Sequence, residues 1–327
     1  MNESQQQEHT AVLREEAVSA LAVQANGFYV DATYGRGGHS KAILEKLGAA
    51  GRLLVFDKDP EAISHARALQ EQDDRVRVAA APFSELLAEV THHERDTDTD
   101  GTETHDTDSQ STEVQGVLFD LGVSSPQLDA AERGFSFLRN GPLDMRMNPD
   151  AGESAADWIN RAEESEIADV LFHYGEERHA RRMARRIVKE RQTQAITTTE
   201  QLANIVKAAN PTWERDKHPA TRAFQAVRIH INDELEELRQ GLEQALTVLA
   251  SGGRLVVISF HSLEDRLVKK FIATQTKGDS YPRDLPIPQS MLNPRMKPVG
   301  KPLKAGTAET ESNPRARSAI MRVAEKL

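Results

Sequence analysis

The stretch Phe28-Tyr29-Val30-Asp31-Ala32-Thr33-Tyr34-Gly35-Arg36-Gly37-Gly38-His39-Ser40 decides how the rest of this chain is read. A short apolar run, Phe28 to Ala32, carries an acid near its end, and a glycine-rich turn follows. Ser40 to Leu47 then sets Ala42, Ile43 and Leu47 on one helical face. A strand, a glycine turn and a helix in that order suit a nucleoside-binding crevice. Glycines let a ligand approach the backbone, and a helix start offers free N–H groups to an anion.

Outward from that stretch the pattern repeats. Gly51 to Asp57 reads as a second strand ending in an acid. Asp59-Pro60-Glu61 starts a helix, with Asp59 as N-cap and Pro60 in the first helical position. Arg75 to Ala79 and Gly116 to Asp120 give a third and a fourth strand, and Gly253 to Phe260 a fifth. Ala319 to Val323 reads as a late edge strand. Strands alternating with helices predict a parallel α/β sheet.

Between the fourth and fifth strands the signals turn helical. Glu176 to Gln192 places Ala180, Met183, Ala184, Ile187 and Val188 on one stripe with arginines around it. Thr199 to Ala208 and Asp233 to Leu249 are further amphipathic helices. These signals predict an α/β core with an inserted all-helical domain: residues 1–130 as the first core segment, 131–232 as the insertion and 233–327 as the second. Ser280 to Pro314, rich in proline, glycine and polar residues, reads as a long loop.

A length of 327 residues accommodates two domains. The absence of cysteine excludes disulfides, a thiolate nucleophile and Cys-ligated zinc. Met1 to His9 is polar and lacks a signal-peptide core, and no apolar stretch is long enough to span a membrane, so a cytoplasmic protein is expected. The net charge of −10 argues against nucleic acid only if charge is spread evenly, and it is not. Thr91 to Val114 holds Glu94, Asp96, Asp98, Asp100, Glu103, Asp106, Asp108 and Glu113 against Arg95 alone. Glu177 to Arg191 holds Arg178, Arg181, Arg182, Arg185, Arg186, Lys189 and Arg191. The low-complexity segment 91–114 cannot bury enough surface to order itself and is expected to be a disordered loop. His92, His93 and His105 belong to it, and no metal site is assigned to them.

The chemistry sits at the strand ends. Asp57 follows the glycines by about twenty residues, where an acid accepts from ribose hydroxyls. A dinucleotide turn would read G-x-G-x-x-G; here the glycines read G-x-G-G after a strand-end acid, which favours S-adenosyl-L-methionine over NAD. The fourth strand ends in Asp120, followed by Leu121-Gly122-Val123-Ser124-Ser125-Pro126-Gln127. An exocyclic base amine is a poor nucleophile because its lone pair is delocalised into the ring. Hydrogen bonds from its protons to a carboxylate favour a more tetrahedral nitrogen, aligned for methyl transfer. A turn-capping Asp120 is the competing role.

These motifs resemble the MraW family of bacterial ribosomal RNA small-subunit methyltransferases, and the resemblance runs over nearly the whole chain. It is carried by His9-Thr10-Ala11-Val12-Leu13, the Tyr34 to Ser40 turn, Asp120 to Gln127, Glu132 to Phe137, Gly141 to Met147, Tyr174 to Arg178, His218 to Arg222, Ser259 to Arg266 and Asn313 to Ser318. It implies a class I (Rossmann-like) methyltransferase fold and N4-methylation of a cytidine near the P site of 16S ribosomal RNA. It also implies a 30S subunit as partner and not DNA; no membrane partner is expected from the sequence, which leaves monomer and homodimer open. By position it implies cofactor contacts at Gly37, Gly38, His39, Asp57, Phe83, Asp120 and Gln127, with Asp120 catalytic. The acidic run is longer than the family pattern but leaves those positions intact.

An RNA substrate makes the Arg178 to Arg191 face a phosphate-contacting surface. His261 suits a structural role as well as a ligand contact, and Trp158 and Trp213 suit core packing before base stacking. An RNA-binding assembly factor that holds cofactor without catalysis, and a DNA amino-methyltransferase, are the competing functions. Intact Asp120 and glycines speak against the first, and the helical insertion against the second.

Overall fold

The computed structural model describes residues 11–97, 113–210, 218–279, 288 and 291–327. Its first helix, α1 (Arg14–Ala20), precedes a run of alternating elements: β1 (Phe28–Asp31), α2 (Gly38–Leu44), β2 (Arg52–Phe56), α3 (Pro60–Gln70), β3 (Val76–Ala79), α4 (Leu86–Thr97) and β4 (Val114–Asp120). Six helices follow: α5 (Ser125–Asp129), α6 (Ala155–Arg161), α7 (Glu164–His173), α8 (Ala180–Arg191), α9 (Thr199–Ala209) and α10 (Ala220–Ile231). The chain ends with α11 (Glu234–Val248), β5 (Leu249–Ser259), α12 (Ser262–Lys277), β6 (Met296–Pro298), β7 (Leu303–Lys304), α13 (Thr307–Ser312) and β8 (Ile320–Lys326). It divides into two compact units, one made of residues 1–122 and 235–327 and the other of residues 123–234.

The first unit is built on an 8-stranded sheet in the order β3-β2-β1-β4-β5-β8-β6, with β7 also on β8. The strands from β3 through β5 run parallel, and β8 is antiparallel to β5. Parallel strands covered on both faces read as continuous apolar runs, and alternate residues here join different cores. Val30, Leu54, Val117 and Phe119 pack with Leu238 and Leu242 of α11 and Val268 and Phe271 of α12. Tyr29, Leu53, Val55 and Leu118 pack with Val18, Ile43 and Ala66 from α1, α2 and α3. The strand order reverses at β1, with β2 on one side and β4 on the other, so a crevice opens at the carboxyl ends of β1 and β4.

The second unit has its own helical core. Met183, Ala184 and Ile187 of α8 lie buried with Ile167 and Leu171 of α7, Leu202 and Val206 of α9 and Phe224 and Val227 of α10. Trp158 is buried there, its Nε1 donating to Glu166 Oε1 at 2.7 Å and its ring centroid 4.5 Å from that of His230. Trp213 lies outside the described residues.

Several sequence expectations need correction. Ile320–Lys326 is no edge strand, because β6 and β7 cover its outer side. Ser280 to Pro314 is not all loop: the described part holds β6, β7 and α13. Their pairing with β8 is a tertiary effect, and Pro298 ends a short strand in the manner edge positions tolerate. The expected loop at 91–114 is not all loop, since α4 runs on to Thr97, with Thr91 Oγ1 donating to Leu87 O at 2.8 Å. His105 and residues 98–112 lie outside the described residues. The arginine helix begins at Ala180 and not near Glu176, whose φ of 50° is left-handed. Among the described residues no helix is long and apolar enough to cross a membrane.

Candidate functional site

Three adjacent parallel strands bring acids to one end of the sheet: Asp31 closes β1, Asp57 follows β2 and Asp120 closes β4. The loop after β1 is stitched to both neighbours. Tyr34 N–H donates to Phe56 O at 2.8 Å and Gly35 N–H to Asp57 Oδ2 at 2.8 Å. On the other side Ala32 N–H donates to Leu118 O at 2.8 Å, and Asp120 N–H to Thr33 Oγ1 at 2.6 Å. The turn is therefore fixed in place before any ligand arrives.

Its glycines are there for backbone reasons. Gly37, at φ 74°, precedes α2 as its N-cap, and a Cβ there would stand 2.7 Å from the Tyr34 ring. Gly35, at φ 55°, faces open space. Gly37 thus serves a tight turn under a buried tyrosine, while Gly35 leaves backbone open to the crevice.

The carboxyls are held differently. Asp31 is buried, with Oδ2 accepting from Ser40 Oγ at 2.6 Å and Oδ1 from Thr33 N–H at 3.2 Å. Burial pushes it up to about 6 despite those bonds, and the charge of Asp57 adds to the rise. Asp57 accepts from Gly35 N–H and, at 2.9 Å, from Asp59 N–H; burial raises it too, against these bonds. Asp120 is pushed up to about 8, first by burial and then by Asp31, with Arg315 opposing and Glu264 adding. Its side chain is 22% exposed, yet Oδ1 is buried and has no hydrogen-bond partner. Oδ2 lies 3.6 Å from His39 Nδ1. The buried His39 has Nε2 at 3.2 Å from Val12 O, and burial drives its pKa down to about 4. Since a carbonyl can only accept, Nε2 carries the proton of the neutral ring and Nδ1 offers a lone pair toward Asp120.

Such a cluster disfavours anions and favours a cation, which would lower all three carboxyl pKa values toward ionisation. That chemistry fits a sulfonium and repels a pyrophosphate, so NAD is the poorer occupant. Residues 6–327 match the MraW methylase family. The chain belongs to that family. It is a methyltransferase, and its cofactor is S-adenosylmethionine.

Three solved structures similar to this MraW-family chain are remote from it in sequence. A putative rRNA-methylase from Clostridium thermocellum is 14% identical over 97% of this chain and 98% of the other, with a TM-score of 0.42. An rRNA methylase from Streptococcus thermophilus is 10% identical over 95% and 93%, at 0.40. A putative methyltransferase from Streptococcus mutans in complex with SAH is 12% identical over 96% and 97%, at 0.39. Likeness at this level carries no argument about substrate or mechanism.

Of the residues expected at the site, Gly37, Gly38, His39, Asp57 and Asp120 converge on this crevice of the MraW-family fold. Phe83 begins a short turn after β3; its ring stands edge-on 5.3 Å from Phe119 and packs against Gly241 of α11. Gln127 belongs to the second unit, where its Oε1 accepts from Ser124 N–H at 2.8 Å in a capping box on α5. His261 likewise caps a helix. Its Nδ1 accepts from Glu264 N–H at 3.4 Å, and Glu264 Oε2 accepts from Phe260 N–H at 2.7 Å. The sequence pointed to the strand-end Asp31 in the choice of cofactor but assigned it no contact, and it missed Thr33 and Ser40 as partners of the site. Asp31 ends its strand as Asp57 and Asp120 end theirs, and that shared position was the signal.

Proposed function

We propose that this enzyme methylates the exocyclic N4 of a cytidine in the decoding, P-site region of 16S ribosomal RNA, acting on 30S subunits in the cytoplasm. The substrate assignment rests on the motifs shared with the MraW family. The observation that carries the chemistry is the Asp120 carboxyl, with Oδ1 buried and unpaired at the strand end. A buried acceptor left without a partner is costly, and an amine N–H is a suitable donor for it.

S-adenosylmethionine, when bound, supplies an electrophilic methyl group. Gly37, Gly38, His39, Asp57, Phe83, Asp120 and Gln127 hold it in this reading. Asp57, which accepts from the backbone of Gly35, Lys58 and Asp59, still has a lone pair for a ribose hydroxyl, and Phe83 offers an apolar ring for adenine. Asp120 accepts a hydrogen bond from the target amine and orients its lone pair. The amine proton leaves to water or to this carboxyl once transfer has made the nitrogen acidic.

The α8 surface supports a polyanionic substrate. Arg185 pairs with Glu164 at 3.7 Å, Arg186 with Glu190 at 2.8 Å, and Arg191 donates to Ile159 O at 2.6 Å. Arg178, Arg181, Arg182 and Lys189 have no carboxylate partner among the described residues and are exposed. Such cations release counterions when they meet phosphates.

The test is nucleoside mass spectrometry of ribosomal RNA from a strain lacking the protein, with and without the gene restored. Loss of N4-methylation at one decoding-region cytidine, restored by the wild-type gene, is expected. Persistence of that methyl group in the deletion strain overturns the substrate assignment. Transfer to duplex DNA but not to 30S subunits by the purified protein would replace it with the DNA reading.

A further inference from the structure

On the first unit, away from the strand-end acids, helix α12 and the turn joining β6 to β7 enclose a cavity of about 410 Å³. Lys269, Ile272, Ala273, Thr276 and Lys277 line it. Their spacing repeats at three and four residues, so they form one stripe of α12. The opposite wall is the turn at Pro298 to Pro302, held by Val299 N–H donating to Val323 O at 2.9 Å. Gly300 turns there with a φ of 69°.

The chemistry of this groove is uneven in a useful way. Its floor is aliphatic, from Ile272, Val299, Pro298 and Val323. Its rim carries Lys269, Lys277 and Lys301, all exposed and without a carboxylate partner among the described residues. Arg322, in the wall, is already held by Asp265 at 2.7 and 3.0 Å. No carboxylate among the described residues lines the cavity. In a chain with a net charge of −10, three ammonium groups around an apolar hollow with no acid in its lining form a locally basic patch.

We infer that this groove binds a short segment of the RNA strand away from the methylated base, with successive phosphates on Lys269, Lys277 and Lys301 and one base against the aliphatic floor. The inference rests on the RNA reading above. The volume lies in the range of small-ligand sites, about 300–1,000 Å³. Lysines on flexible stems suit phosphates as point charges, and an aliphatic floor takes one face of a base out of water.

The test is equilibrium binding to 30S subunits across a salt series, with cofactor affinity followed by calorimetry. The triple variant Lys269→Gln, Lys277→Gln, Lys301→Gln should lose roughly ten- to a hundred-fold in affinity at about 0.1 M salt. Its slope of log affinity against log salt should shrink by about 2, since each single-strand phosphate contact contributes about 0.7. Ala273→Phe, which fills the hollow, should weaken binding while leaving the slope unchanged. Cofactor affinity should stay at the wild-type value in both. Unchanged affinity and slope in the triple variant, beside a clear loss in Arg181→Glu with Arg182→Glu, overturns the groove and leaves the RNA reading standing. Failure of the wild-type enzyme to methylate any ribosomal RNA overturns both. Polyglutamate bound through the same lysines, with 30S binding unaffected, would assign the groove to an acidic peptide and overturn the proposal.

Discussion

The strand ends of the sheet and the helix α8 treat charge in opposite ways. At the strand ends, Asp31, Asp57 and Asp120 are drawn out of water and pushed toward their neutral forms. On α8, Met183, Ala184 and Ile187 are buried while Arg181, Arg182, Arg185 and Arg186 face solvent. Burying acids together costs stability, and a fold keeps such a cluster where an incoming cation offsets the cost. Exposed arginines cost little and wait for a polyanion in water. The two regions thus suggest a division of labour, chemistry at the strand ends and substrate capture on the helix.

The sharpest way to break that comparison is at Asp120. Replacement by Ala removes the unpaired acceptor and should depress methyl transfer by about a hundred-fold or more, the scale of losing one transition-state hydrogen bond in a dry site. Binding of 30S subunits should persist. Equal losses of binding and turnover would show that Asp120 supports structure and not chemistry.

A middling effect is expected on the other side. Arg181→Glu with Arg182→Glu alters exposed cations that have no partner among the described residues, so the melting temperature should hold. Affinity for 30S subunits should fall about ten-fold or more at low salt and recover part of the difference as salt rises. Calorimetric cofactor affinity should not move. A loss that is the same at every salt concentration would point to misfolding of the second unit instead.

How much of this was legible beforehand differs between the regions. Three of the parallel strands were readable as apolar runs closed by Asp31, Asp57 or Asp120, and the Asp59-Pro60 helix start appears as expected, Asp59 Oδ1 accepting from Glu61 N–H at 3.0 Å. The stripe of α8 was readable because its period is that of a helix. The partners were not. Ser40 on Asp31, Thr33 under Asp120 and Val12 on His39 are contacts set by the folded turn, and no residue type or spacing announces them. Strands β6 and β7 were missed for the same reason, because their pairing with β8 is decided by what covers them, while Met296-Lys297-Pro298 has no strand pattern of its own.

The smallest expected effect tests the cost of the acid cluster directly, through stability against pH without cofactor. The ordinary pKa of an aspartate, near 3.8, is that of Asp120 in the unfolded chain, and in the folded protein it is pushed up to about 8. Below the lower value both states hold the proton, and the carboxyl costs nothing. As pH rises between the two, the unfolded chain gives up its proton while the folded one keeps it, so folding weakens, and above the upper value the loss is complete. Asp120→Asn has no proton to lose. Its melting temperature should therefore match that of the wild type at acid pH and exceed it increasingly toward pH 8 to 9. Each kcal/mol that survives local relaxation is worth about 2–4 °C in a protein of this size class. Differential scanning calorimetry of both proteins across pH reads the difference. Saturating S-adenosylmethionine should shrink or reverse it, because a nearby cation favours the ionised carboxyl that only the wild type has. A difference that stays flat from pH 4 to 9 would mean that Asp120 is already ionised in the free protein, and the contrast between buried acids and exposed bases would fail at its most important residue.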